Sequence, residues 1–207
     1  MSSDNPSGAD NQQERLAHSA WLDRIPEDVG HYVAGFVDGE GSFNVPIRRE
    51  RDRCMPWRIG LTFNVSQIGT EVLDHLRSVF GVGTIRGRPD GVYYFEVTSL
   101  GDLEERIFPF FERFPLRGPK RNDLAVFRQI AELVQRREHL SPRGVRRVLE
   151  LRRSMNRGGK RRRPDREILD VLSAWESSEA IRRAPRLRHE DEDMVHAPWR
   201  HGDSREL

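Results

Sequence analysis

The amino-acid sequence predicts an α+β fold in which helices cover one face of an antiparallel sheet. Two segments alternate apolar and polar side chains with the period of half-buried strands, and the alternation is unbroken over residues 57–66. In the segments around them, apolar side chains recur at the spacing of a helix. The resulting order is αββαββα followed by C-terminal helices, as expected for two strand hairpins that each follow a helix.

The first helix is predicted to begin at Pro26, because proline suits the first helical position and two acidic residues follow it. Its apolar side chains recur at helical spacing: Val29, Tyr32, Val33, Phe36 and Val37. The helix is expected to end at Gly39 and Gly41. It also carries the small residues Gly30, Ala34 and Gly35, which would let a second helix come close and so offset the cost of glycine in a helix.

Two hairpins supply the predicted strands. The first joins residues 42–48 to residues 57–66, and Pro46 is expected to make its strand an edge or a bulge, because proline cannot donate to a ladder. A helix over 70–80 ends at Gly81. The second hairpin pairs the strands 84–88 and 92–98 through the turn at residues 89–91.

The C-terminal part is predicted to be helical. Ser99, with Asp102 three residues later, is a capping pattern for a helix to about residue 114, which Pro109 interrupts. Further helices are expected at 120–138, from the Ser141 cap to about 156, and around 168–175.

Length and composition bound the class of protein. The chain has 207 residues, which suits one domain with tails, and a single cysteine, Cys54, which excludes an internal disulfide framework and a multi-cysteine zinc site. Neither a signal peptide nor an apolar stretch of membrane-spanning length is present, so we expect an intracellular protein of the cytoplasm or nucleoid with no membrane partner. The expected organisation is a disordered segment at 1–24, a domain at 25–157, a basic linker with an accessory helix at 158–183, and a disordered tail at 184–207.

Charge is unevenly distributed along the chain. Residues 31–175 hold 27 of the 35 basic and 19 of the 33 acidic side chains, so acidic ends flank a basic centre. This pattern favours a nucleic-acid partner, although an ordinary solvated surface would have the same composition. The basic run at residues 160–163 has the same two readings, phosphate contact or solvated charge.

Two acidic residues lie at the end of the first helix, Asp38 and Glu40. A helix C-terminus carries partial negative charge and favours Lys or Arg, so two carboxylates there are in conflict with it. A divalent cation such as Mg²⁺ would remove the conflict, because carboxylates and a free backbone carbonyl are oxygen ligands that it prefers. The alternative is a pair of solvated acids in a glycine-rich turn.

Residues 32–43, with the sequence YVAGFVDGEGSF, resemble the LAGLIDADG motif of homing endonucleases, in the variant with Glu as the last acid. Further segments fall where that family places its counterparts: FNVSQ at 63–67, FGVG at 80–83, FPFF at 108–111 and LRGPK at 116–120. The resemblance covers about residues 27–157.

The resemblance implies a site-specific, metal-dependent endonuclease that cuts both strands of a long, near-palindromic DNA site. Glu40 resembles the metal-binding acid, with the Gly39 carbonyl as a second ligand of Mg²⁺ or Mn²⁺. Gln67 resembles the residue that positions the attacking water, Lys120 the basic residue near the scissile phosphate, and Asp38 a less common ligand. Since the motif occurs once and two strands must be cut, we expect a homodimer joined through Gly30, Ala34 and Gly35.

The polar face of the predicted strands is expected to bind double-stranded DNA, because a β-ribbon fits the major groove and Arg and Asn can contact base edges. The residues that alternation puts on this face are Asn44, Arg48, Arg58, Thr62, Asn64, Arg86, Arg88 and Tyr94. Each could instead be an ordinary solvated strand residue. The alternative function is a non-cleaving nucleic-acid-binding protein of the same fold, an RNA maturase or a transcription factor; intact Glu40 and Gln67 favour cleavage.

Overall fold

The structure is a computed structural model and describes residues 20–50, 56–158 and 164–178. It confirms the α+β fold. The strands are β1 (Gly41–Asn44), β2 (Ile47–Arg49), β3 (Trp57–Ile59), β4 (Thr62–Ile68), β5 (Thr84–Gly87) and β6 (Val92–Val97). The helices are α1 (Glu27–Glu40), α2 (Glu71–Phe80), α4 (Lys120–Gln135), α5 (Pro142–Arg152) and α6 (Asp165–Ser177); α3 consists of the consecutive segments Leu100–Asp102, the π-helical turn Leu103–Ile107 and Phe108–Arg113.

The main sheet has four antiparallel strands in the order β1-β4-β6-β5, and β2 and β3 form a separate two-stranded ribbon. Asn44 pairs with Thr62 and Ile47 with Ile59, so one register runs through both parts of the first hairpin. Pro46 lies between β1 and β2, where strand pairing stops, and β1 is an edge strand of the main sheet, so the expected edge position is confirmed, whereas the unchanged register excludes a bulge. The unbroken alternation over 57–66 predicts one continuous strand, but the structure divides it into β3 and β4 opposite Pro46. At this break the Gly60 amide donates to the Pro46 carbonyl at 2.9 Å.

One helix end and one turn within a helix agree with the sequence prediction. Gly81 ends α2 with a φ of +70°, a left-handed conformation that glycine adopts without strain. Within α3, the amide of Phe108 bonds the Leu103 carbonyl five residues back, which gives the π-helical turn. Pro109 follows at once and has no amide hydrogen, so the predicted interruption by this proline is confirmed.

The C-terminal helices differ from expectation mainly at their ends. Helix α4 ends at Gln135, before the predicted 138, because Arg137 takes a left-handed conformation and a 3₁₀ turn, Glu138–Leu140, follows. The predicted Ser141 cap is present, with its hydroxyl accepting from the Gly144 amide at 3.0 Å. A second 3₁₀ turn, Met155–Gly158, follows α5.

The core lies between the sheet and the helices and is rich in phenylalanine. Phe43 of β1 stacks on its register partner Phe63 of β4, with ring centroids 5.2 Å apart. Phe80 of α2 stacks on Phe95 of β6 at 5.9 Å and meets Phe110 of α3 edge-on at 4.9 Å. These rings are fully buried and fix one face of the sheet, which leaves the opposite face for polar residues.

Side chains from the C-terminal helices bond the free edge of β1. Arg152 donates to the Val45 carbonyl at 3.1 Å, and Asn156 donates to the Phe43 carbonyl at 3.0 Å. Arg152 is in turn paired with Asp165 at 2.7 Å, and both side chains are nearly buried. The first residue of α6 is therefore linked through Arg152 to the hairpin.

The folded part is longer than the predicted domain at 25–157. Residues 20–23 are helical, and Trp21 and Leu22 pack against the core, so the predicted disordered N-terminal segment extends too far. Ile168 and Leu172 of α6 are fully buried in the same core, so this helix is part of the domain. The expectations for residues 1–19, Cys54, the basic run 160–163 and the tail 184–207 lie outside the described residues. In the described ranges, no helix is both long and apolar enough to cross a membrane.

Candidate functional site

The C-terminal end of α1 is the centre of the candidate site. The last turn of this helix contains no basic residue of its own. The Lys120 ammonium supplies the missing positive charge from the start of α4, because Nζ donates to the carbonyls of Asp38 and Gly39, each at 2.7 Å. Lys120 is therefore held at the end of the helix that carries the acidic residues.

The Asp38 side chain binds the loop before α4. Its Oδ2 accepts from the backbone amides of Arg117 and Gly118 at 2.6 and 2.8 Å. Its Oδ1 is buried and has no hydrogen-bond partner among the described residues. Oδ2 thus binds two loop amides and Oδ1 is shielded from solvent, while the expected role of Asp38 as a less common cation ligand stays a prediction. The carboxylate anchors the loop before α4 and thereby positions Lys120.

Glu40 is the last residue of α1, and its side chain is exposed. Among the described residues, no hydrogen bond or ion pair engages its carboxylate. Gly39 precedes it with an exposed backbone whose carbonyl oxygen has a second lone pair beyond the one that Lys120 uses. A carboxylate and a carbonyl are hard oxygen donors, so these two residues fit a Mg²⁺ or Mn²⁺ ion as part of its ligand set.

The described part of the chain contains no group of three or more His, Cys, Asp or Glu side chains that could hold a metal ion. Glu40 and Gly39 would therefore supply only part of a coordination shell. Any further ligands of an ion at this position must come from outside this cluster, such as water or phosphate oxygens.

Gln67 lies at the same end of the sheet. The pairing of β1 with β4 ends at Gly41 and Val65, and Gln67 is two residues beyond, where the first strand gives way to α1. It is half-buried and lies on the side of β4 that carries Phe63 and Val65, which is the side that α1 covers. The fold thus brings Gln67, Glu40 and Lys120 to one end of the domain.

The open face of the sheet is ordered in rows. Ser42, Asn64, Glu96 and Thr84 are register partners across all four strands, and Ser66, Tyr94 and Arg86 form the next row. The Arg88 guanidinium lies 4.6 Å from the centre of the Tyr94 ring, so it is stacked above this face. Asn44 donates to Ser42 at 2.9 Å on the same side.

On the distal ribbon, Arg48 and Arg58 are direct register partners, and Arg58 lies 3.6 Å from Glu50. The predicted residues therefore share one side of the two sheets, as alternation indicates. Thr62 is an exception, because it is only 9% exposed and offers almost no surface to a ligand.

The set predicted from the sequence omits several residues of the open face, among them Ser42, Ser66, Ile68, Thr84 and Glu96. Glu96 has the same strand parity as Tyr94, so the alternation that selected the tyrosine could have found it. Ile68, at the end of β4, is 86% exposed, and its strand parity is that of Asn64 and Ser66. Strand alternation could have placed this isoleucine on the open face, although an apolar side chain by itself favours the core.

The faces of α1 differ from the prediction. A Cβ atom on Gly30 would lie 2.4 Å from the Phe114 ring, and Ala34 is only 4% exposed, so both residues face the interior of their own chain. Their assignment to a dimer interface is wrong. Gly35 is open, with nothing within 4 Å of an ideal Cβ. The exposed stripe of the helix consists of Asp28, Tyr32, Gly35 and Gly39.

Comparisons with known proteins place this chain in one family. A family profile described as LAGLIDADG endonuclease matches residues 33–131. Homing endonuclease I-ApeII of Aeropyrum pernix is 30% identical over 148 residues, which cover 68% of this chain and 88% of the relative. The chain belongs to the LAGLIDADG homing endonuclease family. Within this family, Glu40 occupies the last acidic position of the motif for which the fold is named.

Two further relatives of this LAGLIDADG chain differ from it in length. Probable intron-encoded endonuclease 3 of Neurospora crassa is 32% identical over 130 residues, 60% of this chain but only 24% of the relative. The chain thus spans about a quarter of the length of this curated relative. The solved structure of I-SmaMI, bound to uncleaved DNA target in the presence of calcium ions, has a TM-score of 0.58 and 29% identity. The match covers 60% of this chain and 44% of that one.

Proposed function

We propose that this chain is a site-specific DNA endonuclease that hydrolyses both strands of a duplex with a divalent cation held at Glu40. The observation that carries the proposal is the exposed carboxylate of Glu40 at the end of α1, which pairs with none of the described residues, at the helix end that the Lys120 ammonium also binds. Because Lys120 binds backbone carbonyls at this helix end, it leaves the acid available for a cation.

Glu40 and the Gly39 carbonyl would hold Mg²⁺ or Mn²⁺, which lowers the pKa of a bound water and stabilises the charge that develops on the phosphate. Lys120 has three ammonium protons and donates two of them to Asp38 and Gly39 carbonyls, so the third remains for a phosphate oxygen. Gln67, as a neutral donor and acceptor at the same end, would orient the attacking water.

The open face of the sheet would lie in the major groove of the target. Arginines at 48, 58, 86 and 88 supply positive charge, and the stacked Tyr94 holds Arg88 with its N–H edge available to a base. Duplex binding through these residues and cleavage through Glu40 are then separable functions on two parts of the domain.

We further propose that two copies act together through the exposed stripe of α1. Each chain carries one motif and one Glu40, whereas hydrolysis of two strands requires two such acids. Gly35 and Gly39 are exposed, so a second α1 can approach closely at these positions, which would place the two sites side by side. A two-fold pair of sheets implies a palindromic or near-palindromic target. The I-SmaMI chain, of which this chain matches 44%, is long enough for two such units.

The test begins with selection of a bound duplex from a randomised library, followed by gel-shift and nicking assays on that duplex with Mg²⁺ and with Ca²⁺. Glu40→Gln should reduce cleavage by at least about 10³-fold and leave specific binding nearly unchanged, because it removes a cation ligand and keeps the sheet face. Glu132→Gln removes one exposed carboxylate from α4 and serves as the charge-matched control.

Near wild-type cleavage of both strands by the Glu40→Gln protein would show that another group holds the cation. Binding without cleavage by the wild-type chain, with Mg²⁺ and with Mn²⁺, would instead support the alternative of a non-cleaving nucleic-acid-binding protein.

A further inference from the structure

Glu96 occupies an interior position on the otherwise neutral and basic open face of the sheet. It lies on β6, the third strand of the row that contains Ser42, Asn64 and Thr84. Adjacent strands are about 4.8 Å apart, so this row is roughly 15 Å wide and Glu96 is inside its limits. Where the face of the sheet lies over the major groove, an interior residue faces base edges, whereas residues at the rims face phosphates.

The carboxylate of Glu96 has no hydrogen bond or ion pair with any other residue that the structure describes. Arg86 lies one row away on β5 and does not pair with it, even though it is close enough along the ladder for such a pair to be reached. An acidic group on a surface that binds DNA is repelled by the phosphates and weakens binding unless it finds a donor in the complex.

We propose that Glu96 is a specificity-determining residue that accepts a hydrogen bond from the exocyclic amino group of a cytosine in the target. This inference rests on the proposed function, because it requires the open face to lie in the major groove. The bonded donor is the N4 amino group, and Asn64 and Thr84 flank the carboxylate on the neighbouring strands.

The choice of cytosine follows from what each base presents in the major groove. Guanine presents two acceptors, O6 and N7, and thymine presents the O4 acceptor and a methyl group, so neither offers a proton to a carboxylate. Adenine offers its N6 amino group beside the N7 acceptor, which repels the second carboxylate oxygen. Cytosine offers its amino group without a neighbouring acceptor.

The experiment compares the wild-type chain with Glu96→Gln, both in the full-length protein and with Ca²⁺ in place of Mg²⁺. A bound duplex is selected from a random library with the wild type, and the affinity of both proteins is then measured for every single-base substitution of it. Glu132→Gln again controls for the loss of one negative charge, and far-ultraviolet circular dichroism of each variant reports folding.

We expect the wild type to prefer cytosine at one position in each half-site by about tenfold or more. Glu96→Gln should lose that preference or gain adenine there, since an amide can bond adenine in two places, while preferences at other positions persist. A preference matrix that is unchanged by Glu96→Gln, or one that changes equally with Glu132→Gln, would overturn the inference. Failure of the wild type to bind any duplex would instead overturn the proposed function.

Discussion

Replacing Gly30 and Gly35 separately by alanine tests how α1 is oriented. The two glycines are five residues apart on one helix, and a sequence pattern placed them on the same face. In the structure, Gly30 lies against the Phe114 ring, and Gly35 faces open space. The same substitution should therefore change the free energy of unfolding in opposite directions.

The expected magnitudes come from helix propensity and packing. Alanine in place of glycine within a helix stabilises by about 1 kcal/mol when nothing opposes it, which is the expectation for Gly35→Ala. At position 30, the new Cβ would be 2.4–2.5 Å from three atoms of the Phe114 ring. That ring is fully buried and contacts Phe110 at 5.1 Å and His31 at 5.5 Å between centroids, so it has little room to move. Overpacking costs about 3 kcal/mol at the upper end of its usual range, so Gly30→Ala should be destabilised by about 2 kcal/mol.

Urea unfolding followed by circular dichroism measures both effects. The protein concentration is lowered until the midpoint no longer depends on it, so that association does not contribute. With an unchanged m-value, Gly30→Ala should unfold at a lower urea concentration than the wild type and Gly35→Ala at a higher one. Equal midpoints for Gly30→Ala and the wild type would refute the packing of Phe114 against α1.

Three further predictions concern separate parts of the domain. Lys120→Met should reduce single-turnover cleavage by about 10²-fold or more with little loss of duplex binding, and Lys120→Arg should not restore it, because a planar guanidinium cannot reproduce the donor geometry of an ammonium. Burial lowers the pKa of His139 below its ordinary 6.5. The unfolded chain therefore binds a proton that the folded chain does not, so stability should fall as the pH decreases below about 6.5, and His139→Gln should flatten this part of the curve of urea midpoint against pH. Arg152→Met leaves the nearly buried Asp165 without its main partner and should cost about 3 kcal/mol in the same unfolding assay, whereas an unchanged midpoint would show that the pair does not hold α6.

Periodicity was sufficient to predict the elements of this fold. Apolar spacing predicted α1, α2 and the strands to within a few residues, because each signal is local and the sheet has one apolar face. Single side chains also predicted the local backbone structure at Pro46, Pro109 and Ser141, because proline lacks an amide hydrogen and serine caps a helix. The end of α4 was missed because Arg137 in a left-handed conformation has no distinct sequence signal.

The candidate site was only partly predictable, because its details depend on residues distant in the chain. The family resemblance named Glu40 and Lys120, which the fold brings to one helix end, whereas the contact of Asp38 with the amides of a loop about eighty residues later has no local signal. Likewise, Phe114 decides which face of α1 is buried, and no spacing within the helix could reveal that contact. Glu96 was within reach of strand alternation, because it has the parity of Tyr94 on the same strand.

The side chains that bond the edge of β1 also hinder aggregation between copies of the protein. A strand at the edge of a sheet can recruit a strand of another molecule through its unpaired backbone groups, which is a common start of aggregation. Here the Phe43 and Val45 carbonyls already accept from Asn156 and Arg152, so an incoming strand would find these acceptors occupied. At the opposite edge, β5 is four residues long and carries Arg86, and short charged edges discourage such pairing. The sheet can therefore keep a broad polar face uncovered without polymerising through its sides.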